Sequence, residues 1–213
     1  MTCIIKKYKR YLLCFALLNM VFFSFAQRDT EKFRMQLAIG VNNPIDNGEN
    51  DGYYSKSLNL QTVNLGVQYM FSPQLGGKLD FGFNRATNAD GSLEFKLNYT
   101  RVNAQIVYDF TRALNFLPEP MSIKAHAGPG MSFTKPLAND SENTYTYLNG
   151  LIGLELHYNV GRTLTVFGDV GYAKSLTSKD KYDTAVDGFS FNGDLVYATV
   201  GLSVALSGCR TCY

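Results

Sequence analysis

A chain of 213 residues, 46% hydrophobic and 14% aromatic, is sized for one medium domain. Its 20 Lys+Arg nearly balance 18 Asp+Glu, and without Lys6, Lys7, Lys9 and Arg10 at the N-terminus the count becomes 16 against 18, so a nucleic-acid partner has no electrostatic support. Past the N-terminal segment nothing is long and apolar enough to be a spanning helix, and any membrane crossing has to be made by strands.

Those four cations form a basic n-region, Tyr11 to Phe25 is an almost unbroken apolar run, and Ser24-Phe25-Ala26 places small residues where a signal peptidase reads. Residues 1–26 therefore read as a secretory signal peptide cleaved before Gln27. A membrane anchor would need a run of about 20 apolar residues, and Leu13 before Cys14 is too bulky for a lipoprotein signal.

The first strand is expected over Lys32 to Val41, where Phe33, Met35, Leu37, Ile39 and Val41 alternate with Arg34, Gln36, Ala38 and Gly40. Turn formers then fill residues 42–56, a polar loop. Val63 to Phe83 reads as a hairpin: Val63, Leu65, Val67, Tyr69 and Phe71, a break at Ser72-Pro73-Gln74, then Leu79, Phe81 and Phe83 on one face with Lys78, Asp80, Gly82 and Asn84 on the other. Residues 85–92 make a second polar loop. Strand four changes phase, from odd Leu93, Phe95, Leu97 and Tyr99 to even Val102, Ala104, Ile106, Tyr108 and Phe110, which predicts a bulge near Thr100-Arg101.

Thr111 to Pro120 is expected to form a short helical turn at the membrane surface. Strand five, Ile123 to Phe133, contains Pro129, which cannot donate a ladder hydrogen bond. After the polar loop 134–145, strand six spans Tyr147 to Tyr158. Asn159 to Arg162 is a short turn, and strand seven spans Leu164 to Lys174. The longest loop, 175–192, precedes strand eight, Leu195 to Leu206, whose Val196, Ala198, Val200, Leu202, Val204 and Leu206 alternate without a break.

Eight antiparallel strands of about ten residues, tilted near 45°, span about 23 Å, which matches an outer membrane. Long polar loops alternate with shorter turns, as in membrane barrels. A lipocalin-like barrel would turn the apolar face inward around a ligand. Here the other face carries Arg34, Lys78, Asp80, Asp109, Lys124, His126, Glu155, His157 and Asp169 among small residues, which suits a narrow lumen of paired ions. Tyr69, Phe71, Phe81, Tyr108, Phe110, Phe133, Tyr158 and Tyr172 near strand ends suit interfacial girdles.

Together, the signal peptide, eight alternating strands, small-residue lumen and four polar loops resemble the OmpA/OmpX-like outer-membrane β-barrel domain of Gram-negative bacteria, over roughly Phe33 to Leu206. The expected fold is all-β, an eight-stranded antiparallel up-and-down transmembrane barrel over 27–208 with a short periplasmic tail, 209–213. The resemblance implies outer-membrane lipid and the barrel-assembly machinery as partners. It also implies a monomer with a structural or surface-interaction role through loops 42–56, 85–92, 134–145 and 175–192. Longer members carry a periplasmic peptidoglycan-binding domain, which is not expected after Tyr213, the terminal aromatic here, set apart from Leu206 by Ser207 to Cys212. A narrow porin-like channel for small solutes is the alternative, and a lipid-modifying enzyme the third reading.

A hydrolase would need a nucleophile, base and orienter in contact, and no Ser is clearly placed beside His126 on the lipid-exposed face. The expectation is thus no catalytic residue, no cofactor and no metal, with Arg34, Lys78, Asp80, Lys124, His126, Glu155, His157 and Asp169 forming a lumen ion network. An interior of eight strands is just wide enough for side chains to fill. Cys209 and Cys212 are a candidate disulfide in an oxidising compartment, an inert pair being the other reading. The acidic loops lack EF-hand spacing.

Overall fold

The fold is seen in a computed structural model, which describes residues 32–46, 48, 52–114, 116–137, 142–161, 163–176 and 183–206. The signal peptide, Cys209, Cys212 and Tyr213 lie outside the described residues. Eight strands follow in order: β1 (Phe33–Pro44), β2 (Asn59–Met70), β3 (Leu75–Thr87), β4 (Lys96–Asp109), β5 (Met121–Leu137), β6 (Tyr145–Asn159), β7 (Leu164–Ser175) and β8 (Leu195–Ala205). Each pairs antiparallel with its neighbour in sequence, and β8 returns to β1, from Arg34 opposite Ala205 to Pro44 opposite Leu195. Closure leaves no strand edge, the condition for putting sheet backbone in hydrocarbon.

Burial decides which face is which. Ile39, Leu79 and Ile106 are 62–66% exposed on the outside, whereas Arg101 and Glu155 inside are 0% exposed. That inverts the pattern of a water-soluble protein and is the one a barrel in lipid requires. Tyr69, Phe71, Tyr108 and Tyr158 ring the outside at the turn end, Tyr69 meeting Phe71 edge-on and Tyr108 stacking on Phe110. Phe133 stands at the loop end.

The expected bulge at Thr100-Arg101 does not form. The β3–β4 register runs unbroken from Leu75 opposite Tyr108 to Thr87 opposite Lys96, so Leu97 and Tyr99 point inward with Arg101, Asn103 and Gln105. The chain keeps its side while the environment changes, because apolar groups fill the lumen at the loop end and polar groups fill it below. The register instead slips between β1 and β2, where Leu60 and Gln61 both face outward. Pro129 stays in β5, opposite Gly150 of β6, but the β4 ladder skips Ala104 and Gln105 beside it, as a missing N–H dictates.

Most strands run past their expected ends. β1 continues to Pro44, β3 to Thr87 and β5 to Leu137, so loops 42–56, 85–92 and 134–145 begin later than their polarity suggests, whereas β4 starts at Lys96 instead of Leu93. Among the described residues of 111–120 there is a 3-10 turn, Thr111–Ala113, and Phe116 is largely exposed. Among the described residues no helix is long and apolar enough to cross a membrane. The loop between β7 and β8 corrects the sequence reading most. Thr184, which opens its one-turn helix α1 (Thr184–Asp187), and residues 187–194 are buried, so much of the supposed solvated loop packs into the barrel.

Candidate functional site

The lumen is the site, and period-two geometry builds it: every second residue of eight strands projects into one narrow space. Nearer the turn end, Glu155 of β6 is the hub. Lys78 Nζ of β3 donates to its Oε1 at 2.6 Å, and His157 Nε2 donates to its Oε2 at 2.6 Å. Gln36 Nε2 adds a longer bond of 3.4 Å and also reaches Gln68 Oε1 at 3.3 Å. The His157 ring stacks on Phe167, 5.4 Å between centroids. Lys124 stands directly across from both Asp109 and Glu155, on its two neighbouring strands, and Arg34 Nη1 donates to Thr165 Oγ1 at 3.0 Å.

A second layer lies toward the loop end. Arg101 Nη1 donates to Asp80 Oδ2, Nη2 donates to Asn64 Oδ1 at 3.3 Å, and the guanidinium sits 4.6 Å from the centroid of the Tyr197 ring. Tyr197 OH donates to Asp169 Oδ2 at 3.2 Å, and His126 Nε2 donates to Asp169 Oδ1 at 3.0 Å, while Nδ1 pairs with the Gln105 amide oxygen. One chain of polar contacts thus runs from Asn64 through Arg101, Tyr197, Asp169 and His126 to Gln105. Room for its bulky members comes from glycines opposite them in register: a Cβ on Gly82 would fall 2.8 Å from Arg101, on Gly153 2.4 Å from His126, and on Gly171 2.3 Å from Tyr197.

Apolar groups close the mouth above. Phe95, Leu97, Tyr99, Tyr147, Leu151 and Leu195 pack with Phe189 and Phe191, which come down from the β7–β8 loop. Phe191 meets Tyr99 edge-on at 5.8 Å, and both phenylalanines are 1% exposed. Polar pins hold this segment: Tyr145 OH donates to Asp187 Oδ1 at 2.7 Å, Tyr147 OH to the Gly193 carbonyl at 3.2 Å, and Tyr172 OH to Asp194 Oδ2 at 2.6 Å.

All eight residues expected in the ion network face the lumen, but they divide between the two layers. Lys78, Glu155 and His157 meet in one, with Lys124 beside them; Asp80, His126 and Asp169 belong to the other; Arg34 binds Thr165. Sequence reasoning missed Arg101, the residue that joins Asp80 to Tyr197, because the assumed bulge removed it from the strand face. Its signal was present: Arg101, Asn103 and Gln105 alternate with Val102, Ala104 and Ile106.

His126, Glu155 and Asp169 each offer a ligand atom within 4.8 Å of the others, a nitrogen and oxygen set that zinc accepts. Lys78 and His157 already occupy both Glu155 oxygens and His126 donates to Asp169, so the protein's own donors fill the place an ion would take.

Residues 14–208 match the family described as outer membrane protein beta-barrel domain. The chain belongs to that family. No curated protein matches it in sequence. In fold, this outer membrane β-barrel is similar to Neisserial surface protein A, with 13% identity over 81% of this chain and 96% of that one and a TM-score of 0.55. It is also similar to a major outer membrane protein of Thermus thermophilus, with 13% identity over 81% and 98% and a TM-score of 0.55. The outer membrane protein OprG of Pseudomonas aeruginosa is a third, at 10% identity over 84% and 100% with a TM-score of 0.55. The likeness is one of architecture, as expected where outward positions need only be apolar and inward ones need only fill a narrow lumen.

Proposed function

We propose that this outer membrane barrel is a closed, non-conducting structural element that carries surface loops as its contact region. The observation that supports this reading most is the double seal of the lumen: Phe189 and Phe191 packed in the mouth, above the Arg101–Asp80 and Lys78–Glu155 ion pairs. A solute would have to displace apolar packing and then separate buried charges, which costs several kcal/mol for each pair. The mature chain starts at Gln27 after export, barrel-assembly machinery inserts it, and an external ligand meets the parts of residues 42–56, 85–92 and 134–145 that stand above the strands. An enzymatic reading finds little support, because the chain has two histidines and both are buried in the lumen, away from lipid.

The test is electrophoresis of the purified mature chain in detergent, boiled and unboiled, beside single-channel recording in planar bilayers. A mobility shift with silent bilayers is the expected result. Reproducible conductance steps from the folded species would overturn the proposal in favour of a narrow solute pore.

A further inference from the structure

Charged residues divide between the two faces of the wall in a way that closure does not require. Every Asp and Glu in the eight strands, namely Asp80, Asp109, Glu155 and Asp169, occupies an inward position. The charges at outward positions are Arg85, Lys96, Lys135 and Lys174, all basic and all near the loop ends of their strands. Three of them converge. Arg85, Asn98 and Lys135 form one cross-strand row over β3, β4 and β5, and the next outward row up is Thr87, Lys96 and Leu137. With strands about 4.8 Å apart, Arg85 and Lys135 stand about 10 Å apart at Cα and Lys96 about 7 Å above Asn98.

The row beneath is of the opposite character: Phe83 and Phe133 flank the small Thr100. Arg85 is anchored, its Nε donating to Asn98 Oδ1 at 2.8 Å and its guanidinium standing 5.7 Å from the Phe83 ring centroid. That leaves the guanidinium's terminal nitrogens for an outer ligand. Asp90 and Glu94 belong to the loop above and not to the strand face.

We propose that Arg85, Asn98, Lys96 and Lys135 form a headgroup site for a phosphorylated anionic lipid in the leaflet on the loop side, its acyl chain lying along the Thr100 furrow between Phe83 and Phe133. The furrow is continuous with the lipid-facing band below it, through Phe81, Val102 and Met131, so an acyl chain enters it without leaving the hydrocarbon. Arg supplies the planar fork that suits phosphate oxygens and the two Lys supply point charges around it. A free anion would gain the cations but nothing from the aromatic row, and a lipid gains both. The site is independent of whether the lumen conducts.

The test uses the refolded mature chain in phosphatidylcholine vesicles, with spin-labelled phosphatidic acid or spin-labelled phosphatidylcholine reporting the lipid bound at the barrel surface. Phosphatidic acid is expected to be preferred about threefold or more, from cations at a membrane surface. The preference falls to about one in R85Q/K96Q/K135Q and survives in K174Q, which removes the same kind of charge from β7. Heat-modifiable mobility verifies that each variant is folded, and R85Q and K135Q singly, each expected to lose part of the preference, replace the triple variant if it fails to fold. An unchanged preference in the triple variant or in both singles overturns the site. Equal loss in K174Q overturns it in favour of diffuse surface charge, and full competition by soluble glycerophosphate overturns the lipid assignment in favour of free phosphate.

Discussion

Replacing Lys78 by Met would strip Glu155 of its closest cation while leaving the carboxylate in a lumen where it is 0% exposed. The pair is 2.6 Å apart, which at an effective dielectric near 20 corresponds to about 6 kcal/mol of attraction, largely cancelled in the intact protein by the cost of desolvating both groups. Met removes the attraction and keeps the carboxylate's desolvation, so K78M should lose about 3–5 kcal/mol. K78M/E155L removes both charges and should lie far closer to wild type than the K78M and E155L losses summed, giving a coupling energy of at least about 3 kcal/mol. His157 and Gln36 still bond Glu155 in K78M and set the lower end of the range. The chain has no Trp, so urea unfolding in detergent micelles is best followed by loss of the fast-migrating folded band, with linear extrapolation to zero urea. A loss below about 1 kcal/mol in K78M, or a double variant as unstable as the two single losses added together, would refute the claim that this buried pair organises the lumen.

Other expectations follow from the same geometry. Val102→Arg, midway along the outward face of β4 between Lys96 and Tyr108, places a charge on the lipid face and should cost about 2–4 kcal/mol near the bilayer centre; a loss under about 1 kcal/mol in the urea titration would show that Val102 does not meet hydrocarbon. Gly153→Ala drives a Cβ to 2.4 Å from the His126 ring and should cost about 1–3 kcal/mol. Gly161→Ala, whose Cβ would have nothing within 4 Å, should stay within about 0.5 kcal/mol, and equal losses for the two would remove the steric explanation. Phe189→Ala and Phe191→Ala each empty part of the mouth, with losses of about 3–5 kcal/mol and faster proteolysis between β7 and β8. Unchanged protease resistance would mean that the loop is held by its tyrosine hydrogen bonds alone.

The strand count, the antiparallel order and the lipid-facing residues were legible because alternation has a period of two and each wall position has one of only two destinations. Strand eight shows this most simply, since its outward residues from Val196 to Val204 are those its alternation marks. Strand four shows the limit. Hydrophobicity reports a side chain's surroundings, and Leu97 and Tyr99 are apolar because Phe189 and Phe191, some 90 residues later, fill the space they point into. A local reading could only convert that into a change of side, and in doing so it hid Arg101.

The candidate site divides along the same line. That Lys78, Asp80, His126, Glu155 and Asp169 share the lumen follows from parity along each strand. Which of them touch depends on stagger between strands, since one residue of register moves a contact by about 3.3 Å and flips its face. The basic patch across β3, β4 and β5 is of the same kind: Arg85, Lys96 and Lys135 are separate charges in the sequence, and only the pairing of three strands makes them neighbours. The sequence by itself determined a closed barrel in a membrane, because local alternation suffices to place backbone in lipid. The tertiary structure alone decided that the mouth is plugged and how the charges pair, because those depend on distances between residues far apart in the chain.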